Sequence, residues 1–175
     1  GRVDALPSAI DLMPTFLGLH GAESTDHVHG KPVCALLAGP VEHHDAVLYG
    51  YFGKDINLTD GRYTYCRQAL PNSFLYNHTA MPSGSQGVID RKVLAQSEFG
   101  IFLQHTAGVP HLRIRSPSHW HHDAPDFNPI FDLVADPQQQ QPIRDPELEH
   151  RLEDRMKELL ARFDAPACQY TRVGL

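Results

Sequence analysis

Between Leu148 and Phe163 the apolar residues Leu148, Leu152, Met156, Leu159, Leu160 and Phe163 recur at offsets of 0, 4, 8, 11, 12 and 15, the spacing of one face of an α-helix. Asp145 stands where a cap is needed, Pro146 takes the first helical position, and Asp164-Ala165-Pro166 ends the element. The opposite face is charged, with Glu147–Arg151, Glu153–Lys157 and Glu158–Arg162 spaced i,i+4 and acid before base. Each such pair contributes about 0.2–0.5 kcal/mol, and the pattern is that of a solvated face, not a binding surface. A long helix with one apolar stripe must lay that stripe on another layer.

The upstream sequence supplies strands for that layer. Ala46 to Phe52 is rich in strand formers, and Ile56-Asn57-Leu58-Thr59 alternates apolar and polar residues. Asp60-Gly61 follows, predicting a two-residue type I′ turn that joins Ile56–Thr59 to Arg62–Arg67 as a hairpin, with Tyr63 and Tyr65 on one face. Ser73 to His78 and Asn128 to Val134 are further strand candidates, the latter stopped by Asp136-Pro137. Asp90 to Gln104 carries helical stretches around Val93-Leu94 and Phe99, and Pro110 to Pro125 is broken by prolines and crowded with histidine. Near the start, Leu12, Met13, Phe16 and Leu17 follow helical spacing, with Ser8 or Asp11 as cap and Gly21 as terminator. Residues 22–45 read as a surface connection. The pattern implies an α+β fold: a small antiparallel sheet of about four strands packed against a long C-terminal amphipathic helix.

Composition narrows the partners. The 175 residues suit one domain, or one domain plus a piece of another. With 15 Lys+Arg against 21 Asp+Glu the net charge is −6, which indicates neither a polybasic nucleic-acid binder nor a long acidic tail. No apolar run approaches the roughly 18 residues of a membrane-spanning helix, and since Gly1-Arg2-Val3 opens without Met, a basic n-region or an apolar h-region, any targeting signal lies outside this sequence and the compartment is undetermined. Nucleic acid and membrane are therefore not expected partners. Cys34, Cys66 and Cys168, an odd number without paired metal-ligand spacing, read as free thiols.

Histidine is the unusual component, 12 of 175, densest at His119-Trp120-His121-His122-Asp123. Imidazoles beside a carboxylate suit a metal or an anionic substrate, yet this loop has no recognised ligand spacing. Ordinary surface or packed histidines are the simpler reading there, and equally at His27-Val28-His29 and His43-His44. The sequence contains no G-x-S-x-G, Walker loop, G-x-G-x-x-G or H-E-x-x-H.

A family resemblance goes further. Ser8-Ala9-Ile10-Asp11-Leu12-Met13-Pro14-Thr15-Phe16-Leu17-Gly18-Leu19-His20-Gly21 resembles the "vDLmPTLLdLaG" helix of sulfatases in the alkaline-phosphatase superfamily. In the same order, His29-Gly30-Lys31 with Leu36-Leu37-Ala38-Gly39 resembles the family's "G-x-S-L-x-P-L-L-x-G" segment. Thr59 to Tyr65 resembles its C-terminal-domain hairpin, Phe131 to Pro137 its "LYDLxxDPxE" strand, and Ala165 to Leu175 the tail of one bacterial branch. The resemblance implies that residues 1–45 are the tail end of an α/β catalytic domain, to which the first helix belongs, and residues 46–175 a C-terminal subdomain.

It also implies a parent enzyme that hydrolyses sulfate esters with a formylglycine nucleophile, made from Cys or Ser in C/S-x-P-x-R, beside a divalent metal, usually calcium. No cysteine or serine here begins that motif, and the family's metal and catalytic residues have no match. No catalytic residue, metal ligand or cofactor is therefore assigned to this chain, and the segment alone is expected to be inactive. Its expected role is to shape the cleft for a small-molecule or carbohydrate sulfate ester, with the catalytic domain as partner. Lys54, His119, Trp120 and His122 are the candidate substrate contacts, the cations for sulfate or carboxylate and the indole for stacking on a ring. The alternatives are a phosphodiester or phosphonate monoester hydrolase of the same superfamily, or a non-catalytic ligand-binding module.

Overall fold

A computed structural model describes residues 4–39, 41–84, 87–117 and 125–175. The fold is α+β. In chain order the elements are α1 (Leu12–Leu19), α2 (Cys34–Ala38), β1 (Val47–Tyr49), β2 (Ile56–Thr59), β3 (Tyr63–Arg67), β4 (Phe74–Thr79), β5 (Ser83–Gly84), β6 (Gly87–Val88), α3 (Arg91–Ala95), β7 (Glu98–Gly100), β8 (His111–Pro117), β9 (Ile130–Asp132), α4 (Pro146–Arg162) and α5 (Ala167–Val173). They fall into two compact units, each made of three separate stretches: Gly1–Tyr49, Asn57–Cys66 and Pro129–Leu159 in one; Gly50–Ile56, Arg67–Asn128 and Leu160–Leu175 in the other.

The first unit holds an antiparallel sheet of four strands in the order β1-β2-β3-β9. Tyr63, Thr64 and Tyr65 lie opposite Asp132, Phe131 and Ile130, so a segment some 65 residues downstream closes the sheet beside the hairpin. Helix α4 starts as its sequence dictates: the Asp145 carboxylate accepts from the N–H groups of Glu147 (3.0 Å) and Leu148 (3.1 Å). Its apolar stripe, Leu148, Leu152, Met156 and Leu159, is buried together with Leu58, Tyr65 and Ile130. The Tyr65 hydroxyl donates to Glu149 (3.3 Å), and the Arg151 guanidinium lies over the Tyr63 ring. On the outer face Lys157 pairs with Glu153 at 2.6 Å, whereas Glu158 is taken by Arg155 three residues earlier, which also reaches Asp45.

The hairpin turn differs from expectation. Asp60 N–H donates to the Tyr63 carbonyl, so the central residues are Gly61 and Arg62 instead of Asp60 and Gly61. Among them Gly61 alone has positive φ (+88°), which excludes type I′ and fits a turn with glycine first. The cause is the Asp60 carboxylate: it accepts from Arg62 N–H (2.9 Å) and Tyr63 N–H (2.6 Å), which draws the aspartate out of the turn centre.

The second unit contains a separate antiparallel sheet, β4-β8-β7, where the sequence pattern implied one sheet only. Phe99, read as helical, sits on β7 after the short helix α3 has ended at Ala95. Strand β8 was hidden by its neighbouring prolines and by charged residues at packed positions. Arg113 of β8 lies between the rings of Tyr76 (4.5 Å) and Phe102 (4.1 Å), with its charge met by Glu98 at 2.6 Å. Helix α5, not visible in the periodicity, is held by tertiary bonds. Arg67 Nε donates to the Val173 carbonyl (2.8 Å), and Leu70 N–H donates to the Arg172 carbonyl (2.7 Å).

All three cysteines are free thiols. No helix among the described residues is long and apolar enough to cross a membrane.

Candidate functional site

The start of α1 carries the most concentrated chemistry in the first unit. Asp11 precedes the helix and its carboxylate turns back to accept from the Ser8 N–H at 2.7 Å, as a residue at a helix N-terminus does. Thr15, one turn on, donates its hydroxyl to the Asp11 carbonyl (2.6 Å) and accepts from Val33 N–H (2.9 Å). The Asp11 carboxylate accepts from Lys31 N–H at 2.8 Å. Two short bonds thus lay residues 31–33 against the helix. The contact is close enough that only glycine fits beside it: a Cβ on Gly30 would stand 2.1 Å from the Ile10 carbonyl oxygen and 2.9 Å from the Asp11 Cα.

The chain then returns with two histidines. His43 Nε2 lies 2.9 Å from Asp11 Oδ2 and His44 Nε2 lies 2.8 Å from Asp11 Oδ1. Asp11 is fully buried, and the two imidazole side chains are 4 % and 5 % exposed. The Lys31 ammonium donates to the His43 carbonyl, fixing the backbone between the imidazoles. Segment 22–45 is therefore no simple surface connection. It contains α2 and folds back on the head of α1, because a buried carboxylate must be met on all sides. Burial would push the Asp11 carboxyl up; the Ser8 N–H, His44, the Lys31 N–H and His43 together outweigh it and hold it at about 2.

A cleft of about 890 Å³ opens beside this cluster, lined by Lys31, His43 and His44 and by the acidic residues Asp4, Glu42, Asp45 and Asp60. The donor atoms of Asp11, His43 and His44 all lie within 4.8 Å of one another. Chemically the trio can clamp its own carboxylate or hold a metal ion. It does not fit the calcium that the family resemblance implies, since calcium takes six to eight oxygen ligands and two of these donors are imidazole nitrogens. Nor does any cysteine here supply formylglycine: Cys34, Cys66 and Cys168 all lie outside a C-x-P-x-R motif.

Of the four candidates singled out from sequence, Lys54 alone falls among the described residues. His119, Trp120 and His122 lie outside the described residues. Lys54 is in the second unit, its ammonium 6.0 Å from the centre of the Tyr51 ring. Tyr51 and Phe52 beside it are largely exposed, and the Lys54 carbonyl accepts from the buried Arg172 guanidinium. The result is an anchored backbone carrying a half-buried cation and two exposed rings. His43 and His44 were passed over because their partner Asp11 stands 32 and 33 residues away, and nothing in a His-His pair announces so distant a carboxylate.

A second histidine pair lies in the second unit. His111 Nδ1 donates to the Val109 carbonyl (3.1 Å), which leaves its Nε2 to accept from His78 Nδ1 at 3.1 Å. The buried His78 Nε2 then carries a lone pair with no hydrogen-bond partner. Burial lowers the His78 pKa below its usual 6.5, helped by His111, Arg113 and His105. Below that pH the unfolded chain takes a proton the folded chain refuses, so stability falls as the medium is acidified through 6.5. Unfolding midpoints measured between about pH 7.5 and 5.5 should fall less steeply in His78→Phe than in the wild type; parallel profiles would show that His78 is not the group responsible.

No protein-family model matches the chain, and no curated protein matches it.

Proposed function

We propose that this chain is the C-terminal part of a sulfuric ester hydrolase of the alkaline-phosphatase superfamily, with its catalytic nucleophile and calcium site on a preceding catalytic domain. In this reading residues 1–45 complete that domain, and residues 46–175 form the subdomain that shapes the substrate cleft.

The observation that carries the proposal is the bare side of α1. Leu12, Met13, Phe16 and Leu19 are 51 %, 58 %, 56 % and 66 % exposed, although they make up much of an apolar helix. An apolar groove of about 510 Å³ continues the surface over Leu12, Val33, Leu36 and Leu37. Apolar surface of this continuity signals a partner layer. The sulfatase resemblance supplies one, the large parallel sheet on which this helix packs. The ordered sequence matches from Ser8 to Leu175 support the same assignment. Lys54, Tyr51 and Phe52 fit a contact to a sulfated ring, the ammonium toward the anionic oxygens and the aromatic faces toward the sugar or aryl group.

The test is turnover by the full-length protein. Hydrolysis of 4-nitrophenyl sulfate is expected to exceed that of phosphonate monoester and phosphodiester analogues. Lys54→Ala should raise KM about tenfold, the loss of one charge-assisted contact. Preference for the phosphonate or phosphodiester would overturn the assignment in favour of a related hydrolase. A native protein that binds sulfated glycan and lacks any upstream C/S-x-P-x-R segment would replace it with a binding module.

A further inference from the structure

We propose that Asp11, His43 and His44 form a binding site for a zinc-class divalent ion, with three protein ligands and a fourth position open to the adjoining cleft. The inference rests on the geometry of the first unit and is independent of the sulfatase assignment.

The donor set comes first. Two imidazole Nε2 atoms and a carboxylate are the ligand types of zinc and its d-block neighbours, and three protein ligands plus one exchangeable position is the usual open arrangement. The spacing follows. Ligands at about 2.0–2.1 Å from a tetrahedral ion stand roughly 3.3 Å apart. The imidazole nitrogens are 2.9 and 2.8 Å from opposite oxygens of the carboxylate and the donor atoms all lie within 4.8 Å of one another, so side-chain rotations would bring both nitrogens and one oxygen to that spacing.

The surroundings match what a metal centre needs. The Ser8 and Lys31 N–H groups already fix the plane of the Asp11 carboxylate, the outer-shell support that ligating carboxylates require. The two imidazoles are almost wholly buried, so their orientation is set by packing before any ion arrives. The cleft gives an entry path, and Asp4, Glu42, Asp45 and Asp60 along it attract a cation, while the Lys31 ammonium on the same wall is held by the His43 carbonyl.

The site also differs in kind from a simple buried ion pair. A carboxylate that only needed neutralising is satisfied by one cation, whereas here two imidazoles meet it, one at each oxygen, with all the donor atoms within 4.8 Å of one another. Bound metal would tie residue 11 to residues 43–44 and close the loop between them.

The experiment titrates the full chain, freed of metal, with Zn(II) against a chromophoric chelator and with Co(II) by visible absorption. One tight equivalent, with the intense visible bands of four-coordinate cobalt, is expected. X-ray absorption of the zinc-loaded wild type should show two histidine nitrogens among its ligands. His43→Gln and His44→Gln each keep a side-chain N–H for Asp11, so the fold is retained while an imidazole ligand is lost. Each should weaken zinc binding more than about a hundredfold, beyond the 10–100-fold typical of losing an outer-shell group. His105→Gln should leave the affinity unchanged. Zinc affinity that survives in both His43→Gln and His44→Gln belongs to other histidines of the chain and overturns the proposal, as does a cobalt spectrum with only weak six-coordinate bands. If either variant fails to fold, the other variant decides, and fewer than two histidine ligands in the wild-type absorption data defeats the site.

Discussion

Asp11→Ala is expected to destabilise the first unit by about 3–5 kcal/mol, the cost of removing one partner from a buried, hydrogen-bonded charge cluster. Four donors lose their acceptor at once: the Ser8 and Lys31 N–H groups and the His43 and His44 imidazoles. None can turn to water without opening the segment, because the carboxylate is fully buried and the imidazoles nearly so. Asp11→Asn should cost less, since one oxygen remains to accept, but its amide N–H₂ would face donors. Urea unfolding in the metal-free state checks the prediction. A midpoint unchanged in Asp11→Ala would show that these bonds contribute no net stability, and that the cluster merely tolerates its charge.

Gly30→Ala should be the next most damaging single change, at about 3 kcal/mol, above the middle of the range for overpacking. The clash is with main-chain atoms of Ile10 and Asp11, which no rotamer change can move aside. The loop must lift, and the Lys31 N–H to Asp11 bond stretches with it. The distinguishing readout is local: amide exchange should accelerate at Lys31 and Val33 well before the second unit is affected. Exchange that stays slow at both amides would show that the backbone absorbs the methyl group without moving.

What the sequence disclosed and what it withheld follow from the range of the interactions. Helix α4 was readable to within a residue or two because its cap, its proline and its apolar stripe are all encoded locally, from Asp145 to Phe163. The same holds for α1, whose end is fixed by Gly21 with φ +69°. The hairpin was legible as a pair of strands, but its turn was misread by one residue because the Asp60 side chain competes with its own backbone. Sheet β4-β8-β7 was out of reach for another reason. Its middle strand presents Arg113 and His111 at packed positions, and their burial depends on Tyr76, Phe102 and His78 from other segments. The candidate metal ligands obey the same rule: Asp11 was legible as a cap, His43-His44 as a histidine pair, and only folding shows that they meet.

The division into two units bears on how this stretch of protein can change over time. The polypeptide passes from one unit to the other at 49/50, 56/57, 66/67, 128/129 and 159/160. No single breakpoint separates one unit cleanly from the other, so any recombination event inside the segment would divide at least one of them. Module exchange is closed to it. The segment should be inherited as a block, and new specificity should arise by point substitution and by length change in loops such as Gly50 to Asp55.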